Sequence, residues 1–332
     1  MLLNGVPLLK AVETLSYQEE FPHFGLVVED IAREISEGST FSRAIALHPR
    51  IFNQVLVTMI EVGEETGALD HSLELVATWL EREFAVRQRV SAAFTYPAGI
   101  LLVSVCLSVL LFTTVLPTFA NIFREMNVSL PLITRVVMGI TALICNPSAW
   151  LVALGLGVLG WRLWDRVWQS PRQSRLVYSL LLSLPAVGPM LKHGSLTRYC
   201  TASQAMLDTG LDLIKTTRLA GQASGNPLLA HDCRRMGKAI QMGETLSSAL
   251  SEGAHLYSRL LIQMIQAGEE ASILSQMYAK AAEFHDMELN SSIELLSASL
   301  EPLMLLGVAM MVGGVVLSIY LPMYSTLMNL AS

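Results

Sequence analysis

Met59-Ile60-Glu61-Val62-Gly63-Glu64-Glu65-Thr66-Gly67-Ala68-Leu69 returns later in the chain as Met264-Ile265-Gln266-Ala267-Gly268-Glu269-Glu270-Ala271-Ser272-Ile273-Leu274. Met59 against Met264 sets an offset of 205 residues. The offset holds without a gap far beyond the motif. Gly5 meets Gly210, Lys10 meets Lys215, Gly38 meets Gly243, Ala44 meets Ala249, Pro97 meets Pro302, and Leu116-Pro117 meets Leu321-Pro322. Between residues 38 and 70, 11 of the 33 aligned pairs are identical. One structural unit is used twice, and the fold question reduces to reading that unit.

The unit reads as all-α. In the first copy Pro7 suits a first helical position after Asn4-Gly5, and Leu8, Leu9, Val12 and Leu15 follow at helical spacing. A second helix is expected from Phe24 to Glu37, with Val27, Val28, Ile31 and Ile35 on its apolar side. Gly38 stops it, and Ser39 or Thr40 caps a short helix through Leu47. Asn53 to Glu65 forms the next helix, Gly67 breaks it, and Asp70 is placed to cap one more that runs towards a membrane. No stretch alternates apolar and polar residues in the manner of a strand. A helical bundle is predicted for residues 1–95 and again for 169–300.

Composition adds the membrane. Of 332 residues 52% are hydrophobic and 15% charged, with a mean hydropathy of +0.48. No charge occurs between Arg89 and Arg124, and a first span is expected over Ala98–Leu116. No charge follows Glu301, and Pro302–Leu327 is expected to be the last span. Ser104 with Ser108, Ala309 with Gly313, and Gly314 with Ser318 give small faces for helix contact, within the chain or in a homo-oligomer. Val136–Trp161 is uncharged but interrupted at Asn146-Pro147. Either one kinked helix crosses, or Leu132–Ile144 lies at the surface and the span begins near Ser148. The second reading fits better, with Trp150 and then Trp161, Trp164 and Trp168 as aromatic belts and Arg162 snorkelling.

Three spans follow: the first two in residues 96–168, joined by an external loop over about 117–147, and the third in 301–332. Arg82, Arg87 and Arg89 precede the first span, and Arg162, Arg166, Arg172 and Arg175 follow the second, whereas the loop holds Arg124 and Arg135. Positive residues therefore put both bundles and the N-terminus in the cytoplasm and the C-terminus outside. Met1-Leu2-Leu3 has neither a basic lead nor a long apolar core, in keeping with a cytoplasmic start. Residues 1–95 hold 7 Lys and Arg against 14 Asp and Glu, while residues 169–296 hold 11 against 11. Two copies of one fold with different charge suit different neighbours. A chain net charge of −6 argues against nucleic acid.

Catalysis finds no support. There is no GxxxxGK[ST] phosphate loop, no HExxH and no GxSxG. Cys106, Cys145, Cys200 and Cys233 form no CxxC pair, so neither zinc nor a disulfide framework is indicated. His23, His48, His71, His193, His231, His255 and His285 are scattered and read as ordinary loop and surface histidines. No catalytic, metal-binding or cofactor-binding residue is assigned.

The sharp signal is the repeated turn: Gly63, Glu64, Glu65 and Gly67, then Gly268, Glu269 and Glu270. Two carboxylates near a helix C-terminus face the negative end of the dipole, at a cost of about 0.3–1 kcal/mol each when exposed. One expectation is structural: a Glu accepts from the amides opening the next helix, or pairs with an Arg inside the bundle. The other is docking to a basic partner surface or a metal. The structural reading is the stronger of the two. Gly63 and Gly268 are expected to permit close helix approach, since a helical Gly otherwise costs about 1 kcal/mol. Tyr96-Pro97 and Glu301-Pro302 open the first and third spans and suit the membrane interface.

The repeat, the spans and the motifs resemble the PilC and GspF family of inner-membrane platform proteins of type IV pili and type II secretion. The matching residues are Gly5-Val6-Pro7-Leu8-Leu9, Gly63-Glu64-Glu65-Thr66-Gly67-Ala68-Leu69 and Tyr96-Pro97, with second copies Gly210-Leu211-Asp212-Leu213-Ile214, Gly268-Glu269-Glu270 and Glu301-Pro302. The resemblance covers nearly the whole chain. It implies a non-enzymatic platform in the bacterial inner membrane. Such a platform connects a cytoplasmic hexameric assembly ATPase to pilin or pseudopilin subunits, beside other inner-membrane assembly proteins. Two departures stand out. A helical lead-in, Ser195 to Leu207, has a first-copy counterpart that falls mostly before Met1, and Ser272 stands where Gly67 would repeat. A small transporter or channel is the alternative function, but the spans carry no paired charges and no matched broken helices. A membrane receptor with two cytoplasmic modules is the third reading.

Overall fold

The computed structural model describes residues 2, 5–17, 22–115, 171–185, 187–253 and 255–331, with isolated positions between 118 and 162. The first copy opens with α1 (Leu8–Ser16), α2 (Pro22–Ser36), α3 (Phe41–Ala46), α4 (Gln54–Thr66) and α5 (Leu69–Leu110). A π-helical turn over Leu111–Val115 follows. The later part comprises α6 (Pro171–Leu182), α7 (Val187–Asp208), α8 (Leu213–Ala223), α9 (Pro227–Gln241), α10 (Leu246–Glu252), α11 (Arg259–Glu270) and α12 (Leu274–Ala331). No strand occurs among the described residues.

The helix ends follow the side chains that can satisfy open backbone groups. Asn53 caps α4 by accepting from Leu56 N at 2.9 Å, and its counterpart Ser258 caps α11 by accepting from Leu261 N at 3.1 Å. Thr40 caps α3, and Thr245 caps α10. Pro7 sits at the cap itself, one place before the first helical residue of α1. Asp70 lies inside the first turn of α5 and not at its cap. Only Gly67 and Ala68 separate α4 from α5, and Ser72 N already bonds to Ala68 O at 3.0 Å.

Left-handed residues repeat in register: Gly5 and Gly210 (φ +78° and +83°), Gly38 and Gly243 (+95° and +92°), and Gly67 and Ser272 (+72° and +57°). Each turn after α4 and α11 closes the same way. Ala68 N bonds to Gly63 O at 2.9 Å, and Ile273 N bonds to Gly268 O at 2.8 Å. Ser272 thus adopts the backbone of the glycine it replaces, and is the one non-glycine with positive φ among the described residues. Its Cβ carries a penalty of about 1 kcal/mol or more that Gly67 avoids.

The helices divide between two units, Met1–Gln88 with Arg175–Ser292, and Arg89–Ser174 with Ile293–Ser332. The first unit has one contiguous apolar core to which both copies contribute: Val28, Ile31, Ile45, Met59, Ile60 and Trp79 from one, and Met206, Met236, Leu250, Leu261 and Ile265 from the other. In the second copy α7 runs along the core, burying Leu196, Tyr199, Cys200, Ala202 and Met206. Among the described residues nothing plays its part in the first copy. Leu15, Phe24, Leu80 and Phe84 are consequently 40–67% exposed, where Ala220, Leu229, His285 and Leu289 are at most 1% exposed. Burial pushes the Cys233 thiol up to about 12 and the Cys200 thiol up as well, which keeps both protonated and unreactive.

The described part of the second unit holds the apolar halves of α5 and α12. Each is a continuation of the last helix of its bundle, 42 and 58 residues long in all, with no intervening loop. Leu101, Leu102, Val103, Leu303, Leu305 and Leu306 are exposed, the pattern of a surface that faces lipid. Ser108 is buried and its hydroxyl donates to Ser104 O of the same helix. A Cβ built on Gly313 or Gly314 meets nothing within 4 Å.

Two helices among the described residues are long and apolar enough to cross a membrane, Leu69–Leu110 and Leu274–Gly314. The pair α6 and α7, bent by 117°, passes the same composition test. Its α7 is packed into the protein core with Lys192 and Arg198 along it, so we read it as part of the bundle. The expected loop over 117–147 and the second span from Ser148, with Trp150, Trp161, Trp164 and Trp168, lie outside the described residues.

Replacing Ser272 by Gly is expected to stabilise the protein by about 0.5–1 kcal/mol, because relief of the left-handed strain exceeds the added entropy of the unfolded chain. Gly67→Ser is expected to destabilise by about 1 kcal/mol. Thermal melting of both variants checks this, and a lower melting temperature for Ser272→Gly would refute it.

Candidate functional site at the duplicated acidic turn

The short helices α3 and α10 have six and seven residues. Helices this short do not form alone, because nucleation is unfavourable and few internal bonds result. Their first amides need acceptors from elsewhere. Glu64 supplies one, at the end of α4. Its carboxylate accepts from Phe41 N at 2.6 Å and Ser42 N at 3.1 Å, and from the Ser42 hydroxyl. The next amide, Arg43 N, goes to Thr40 Oγ1 at 3.4 Å, and Ala44 N goes to Thr40 O at 3.0 Å. Every opening amide of α3 is accounted for.

The second copy repeats this atom for atom. Glu269 accepts from Leu246 N at 2.7 Å, Ser247 N at 3.1 Å and Ser247 Oγ at 2.7 Å. Ser248 N goes to Thr245 Oγ1 at 3.2 Å, and Ala249 N to Thr245 O at 3.1 Å. The unfavourable position of a carboxylate at one helix C-terminus is thereby offset by the positive N-terminus of another. The helix served is the one before the motif, about two dozen residues back, and not the next helix that sequence reasoning favoured. The arginine-pairing alternative is not used either, since the acceptor work falls to main-chain amides and a serine.

The glycines of the motif act at the same junction. A Cβ built on Gly63 lies 2.5 Å from Ser72 Cβ, and one built on Gly268 lies 2.7 Å from Met277 Cγ. Both glycines therefore permit the close approach of α4 to α5 and of α11 to α12. Glu65 and Glu270 point elsewhere. Both are exposed, and Glu270 accepts from Gln266 Nε2 at 3.1 Å within its own helix. Neighbouring helical positions lie about 100° apart, so the two acids of each pair cannot share one environment.

Tyr96 and Glu301 are exposed on α5 and α12, next to Pro97 and Pro302, which both lie within helix. No group of three or more His, Cys, Asp or Glu side chains suited to a metal occurs among the described residues. A shallow polar recess of about 320 Å³ lies between α4 and α8, lined by Gln54, Thr58, Glu61, Lys215, Arg218 and Gln222. Sequence reasoning gave no sign of it, because Glu61 and Lys215 belong to different copies.

The class the structure defines is an all-helical protein in which one carboxylate-clamped junction occurs twice and each time leads into a helix long and apolar enough to cross a membrane. The family described as Type II secretion system (T2SS), protein F matches residues 1–117 and 200–322, and the chain belongs to it. The ends of those two matches stand one repeat offset apart. Among relatives, the type IV pilus assembly protein PilC of Thermus thermophilus is 27% identical over 331 residues, covering 100% of this chain and 81% of the relative. The type IV pilus assembly protein TapC of Aeromonas hydrophila is 27% identical, covering 98% and 78%. The type II secretion system protein F of Xanthomonas campestris is 30% identical, covering 96% and 78%. These relatives are named for assembly and secretion and not for an enzymatic reaction. Family and apolar helices together point to a protein of the bacterial inner membrane.

Removing the clamp tests its weight. Glu64→Ala or Glu269→Ala is expected to cost about 2 kcal/mol, as for lost charge-assisted bonds at a helix cap. Glu65→Ala and Glu270→Ala are expected to stay within about 0.5 kcal/mol of the parent, as for exposed residues. Equal melting temperatures across all four variants would dismiss the clamp.

Proposed function

We propose that the protein is a non-enzymatic inner-membrane platform that couples a cytoplasmic assembly ATPase to the assembly of pilin or pseudopilin subunits. The observation that carries this reading is the split of each Glu-Glu pair. One carboxylate is consumed by the fold, and its neighbour is left exposed at the same place on both copies. An exposed acid held on a clamped junction is a fixed point for a basic partner surface. The names of the relatives, in type IV pilus assembly and type II secretion, support the same reading.

The proposed arrangement puts the bundles of residues 1–95 and 169–300 in the cytoplasm, with spans in 96–168 and 301–332 and an external C-terminus. Each bundle passes into its span by one helix, α5 or α12. The first copy, with its excess of acids, suits a basic partner surface best. Other inner-membrane assembly proteins and further copies of the chain complete the proposed machine.

Two measurements test this. Full-length protein carrying Glu65→Lys and Glu270→Lys should fold with an unchanged melting temperature and lose co-purification of the ATPase encoded with it. Parent binding should weaken as salt rises from about 0.05 to 0.5 M, because exposed charges are screened beyond about 10 Å at 0.1 M. Retention of the ATPase by the double variant would remove the docking role from the acidic turn. Reporter fusions after Arg175 and after Ser332 should read cytoplasmic and external, and the same side for both would overturn the arrangement.

A further inference from the structure

Helix α6 turns an apolar edge outward that the described residues leave open. Leu176 and Leu180 are each 69% exposed, and Leu184, in the turn that follows, is 45% exposed. Leu176 and Leu180 are four residues apart and share one side of the helix. The opposite side is committed to the protein. Ser174 and Tyr178 are buried there, and the Tyr178 hydroxyl donates to Leu191 O at 3.4 Å. A third side is polar, with Ser179 exposed about 100° round from Leu180. A single exposed leucine is ordinary. Two at helical spacing, extended by a third, on a helix held by its other side, form a surface that calls for a cover.

The place of α6 in the bundle follows from α7. His193 meets His285 and Tyr199 meets Tyr278, so α7 runs antiparallel to α12. In keeping with this, a Cβ built on Gly194 lies 3.5 Å from Leu289 Cδ1. Moving back along α7 therefore means moving forward along α12, towards its apolar half. Val187 stands about 9 Å further that way than His193, at about 1.5 Å per residue. Helix α6 comes just before it, through a turn so tight that a Cβ on Gly188 would collide with Leu182 O. It meets α7 at 117°, more across that axis than along it. Helix α6 thus crosses the end of the bundle from which α12 enters its apolar half. The sequence agrees. Trp168, the last member of the expected aromatic belt, precedes Pro171 by three residues, and Arg172 and Arg175 lie at the start of the helix.

We propose that α6 is an interfacial anchor: it lies along the bilayer surface, with Leu176, Leu180 and Leu184 immersed among the lipids and Ser179 towards water. A helix of this kind sinks its apolar edge about 5–10 Å into the boundary between headgroups and acyl chains. Basic residues at its start add attraction to anionic headgroups. Lipid is favoured over a second chain as the cover, because the open edge occurs at the level where α12 itself turns apolar. The buried side of α6 is tied to α7, so the anchor holds the end of the second bundle to the membrane. The proposal rests on the membrane location of the chain and not on a docking role for the acidic turn.

Spin labelling of the full-length protein in nanodiscs of phosphatidylethanolamine and phosphatidylglycerol tests the anchor. Cys106→Ala and Cys145→Ala leave only Cys200 and Cys233, whose burial keeps them unlabelled. Leu176→Cys, Leu180→Cys and Ser179→Cys are then labelled one at a time. Collisions with oxygen, which concentrates among acyl chains, and with a water-soluble nickel chelate report depth. The oxygen-to-nickel ratio at 176 and 180 should exceed that at 179 severalfold. Leu184→Cys, outside the helix, should read like 180 and gives the answer without any change in α6. A ratio at 180 and 184 no higher than at 179 overturns the proposal, because the edge would then face water. Exclusion of both reagents from the leucine positions also overturns it, since a second copy or another protein would then be the cover.

Discussion

A carboxylate at the end of one helix closes the beginning of an earlier one, and the bundle depends on that bond. Glu64 ties α4 to α3, and Glu269 ties α11 to α10, through two amides and a serine hydroxyl each. One residue before it, Gly63 or Gly268 lets the following helix come close. Three residues after it, Gly67 or Ser272 turns the chain into that helix. Five consecutive positions therefore fix the relations of three helices. Main-chain amides specify this junction more tightly than side-chain packing alone would, because a buried amide without a partner costs about 1–3 kcal/mol.

Much of this could be read from the residues. The duplication was legible because the identities at the constant offset fall on turn residues, caps and the acidic motif. Thr40, Asn53, Gly38 and Gly67 announce themselves through local chemistry. The direction of the Glu64 bond was not legible. Proximity in sequence favoured the helix that starts at Leu69, whereas the partner lies in space beside residues 41 and 42. Ser272 was equally opaque, since local preference gives a left-handed position to Gly or Asn and only the surrounding turn forces a serine into it. His193 and His285, expected to be ordinary loop and surface histidines, lie instead on helices with their Nδ1 atoms 3.1 Å apart and His285 fully buried; 92 residues separate them and no motif joins them. Periodicity finds faces of helices, but it does not say which two polar groups meet inside the core.

The two copies share this junction and differ in what fills the space around it. Phe52 and Leu73 of the first copy correspond to Tyr257 and Tyr278 of the second. Tyr278 OH lies 3.2 Å from Tyr199 OH, and Tyr257 OH lies 3.8 Å from Cys233 Sγ, all deeply buried. Burial raises all three phenols, so they remain neutral donors. A hydroxyl in a core is tolerable only with a partner, and a partnered hydroxyl admits fewer alternative packings than a methyl group does. The copy with the lead-in helix α7 is thus also the copy whose interior is specified by directional bonds. The first copy relies on apolar contact, and part of its apolar face stays open among the described residues.

Duplication with a common junction and divergent surroundings has a consequence for how a partner reads the molecule. Glu65 and Glu270 occupy equivalent positions on equivalent helices, so geometry alone cannot tell them apart. Charge can, because the first copy carries twice as many acidic as basic residues and the second carries equal numbers. A basic surface approaching from solution feels the summed field before it reaches any single side chain, and that field acts on the rate of encounter. On the proposed reading, one ATPase surface that fits both turns would still meet the first copy sooner at low ionic strength. The second would remain for a neutral partner or for a contact made after the first. The same fold used twice then gives an ordered engagement without any difference in backbone, and the order resides in residues that the clamp leaves free to vary.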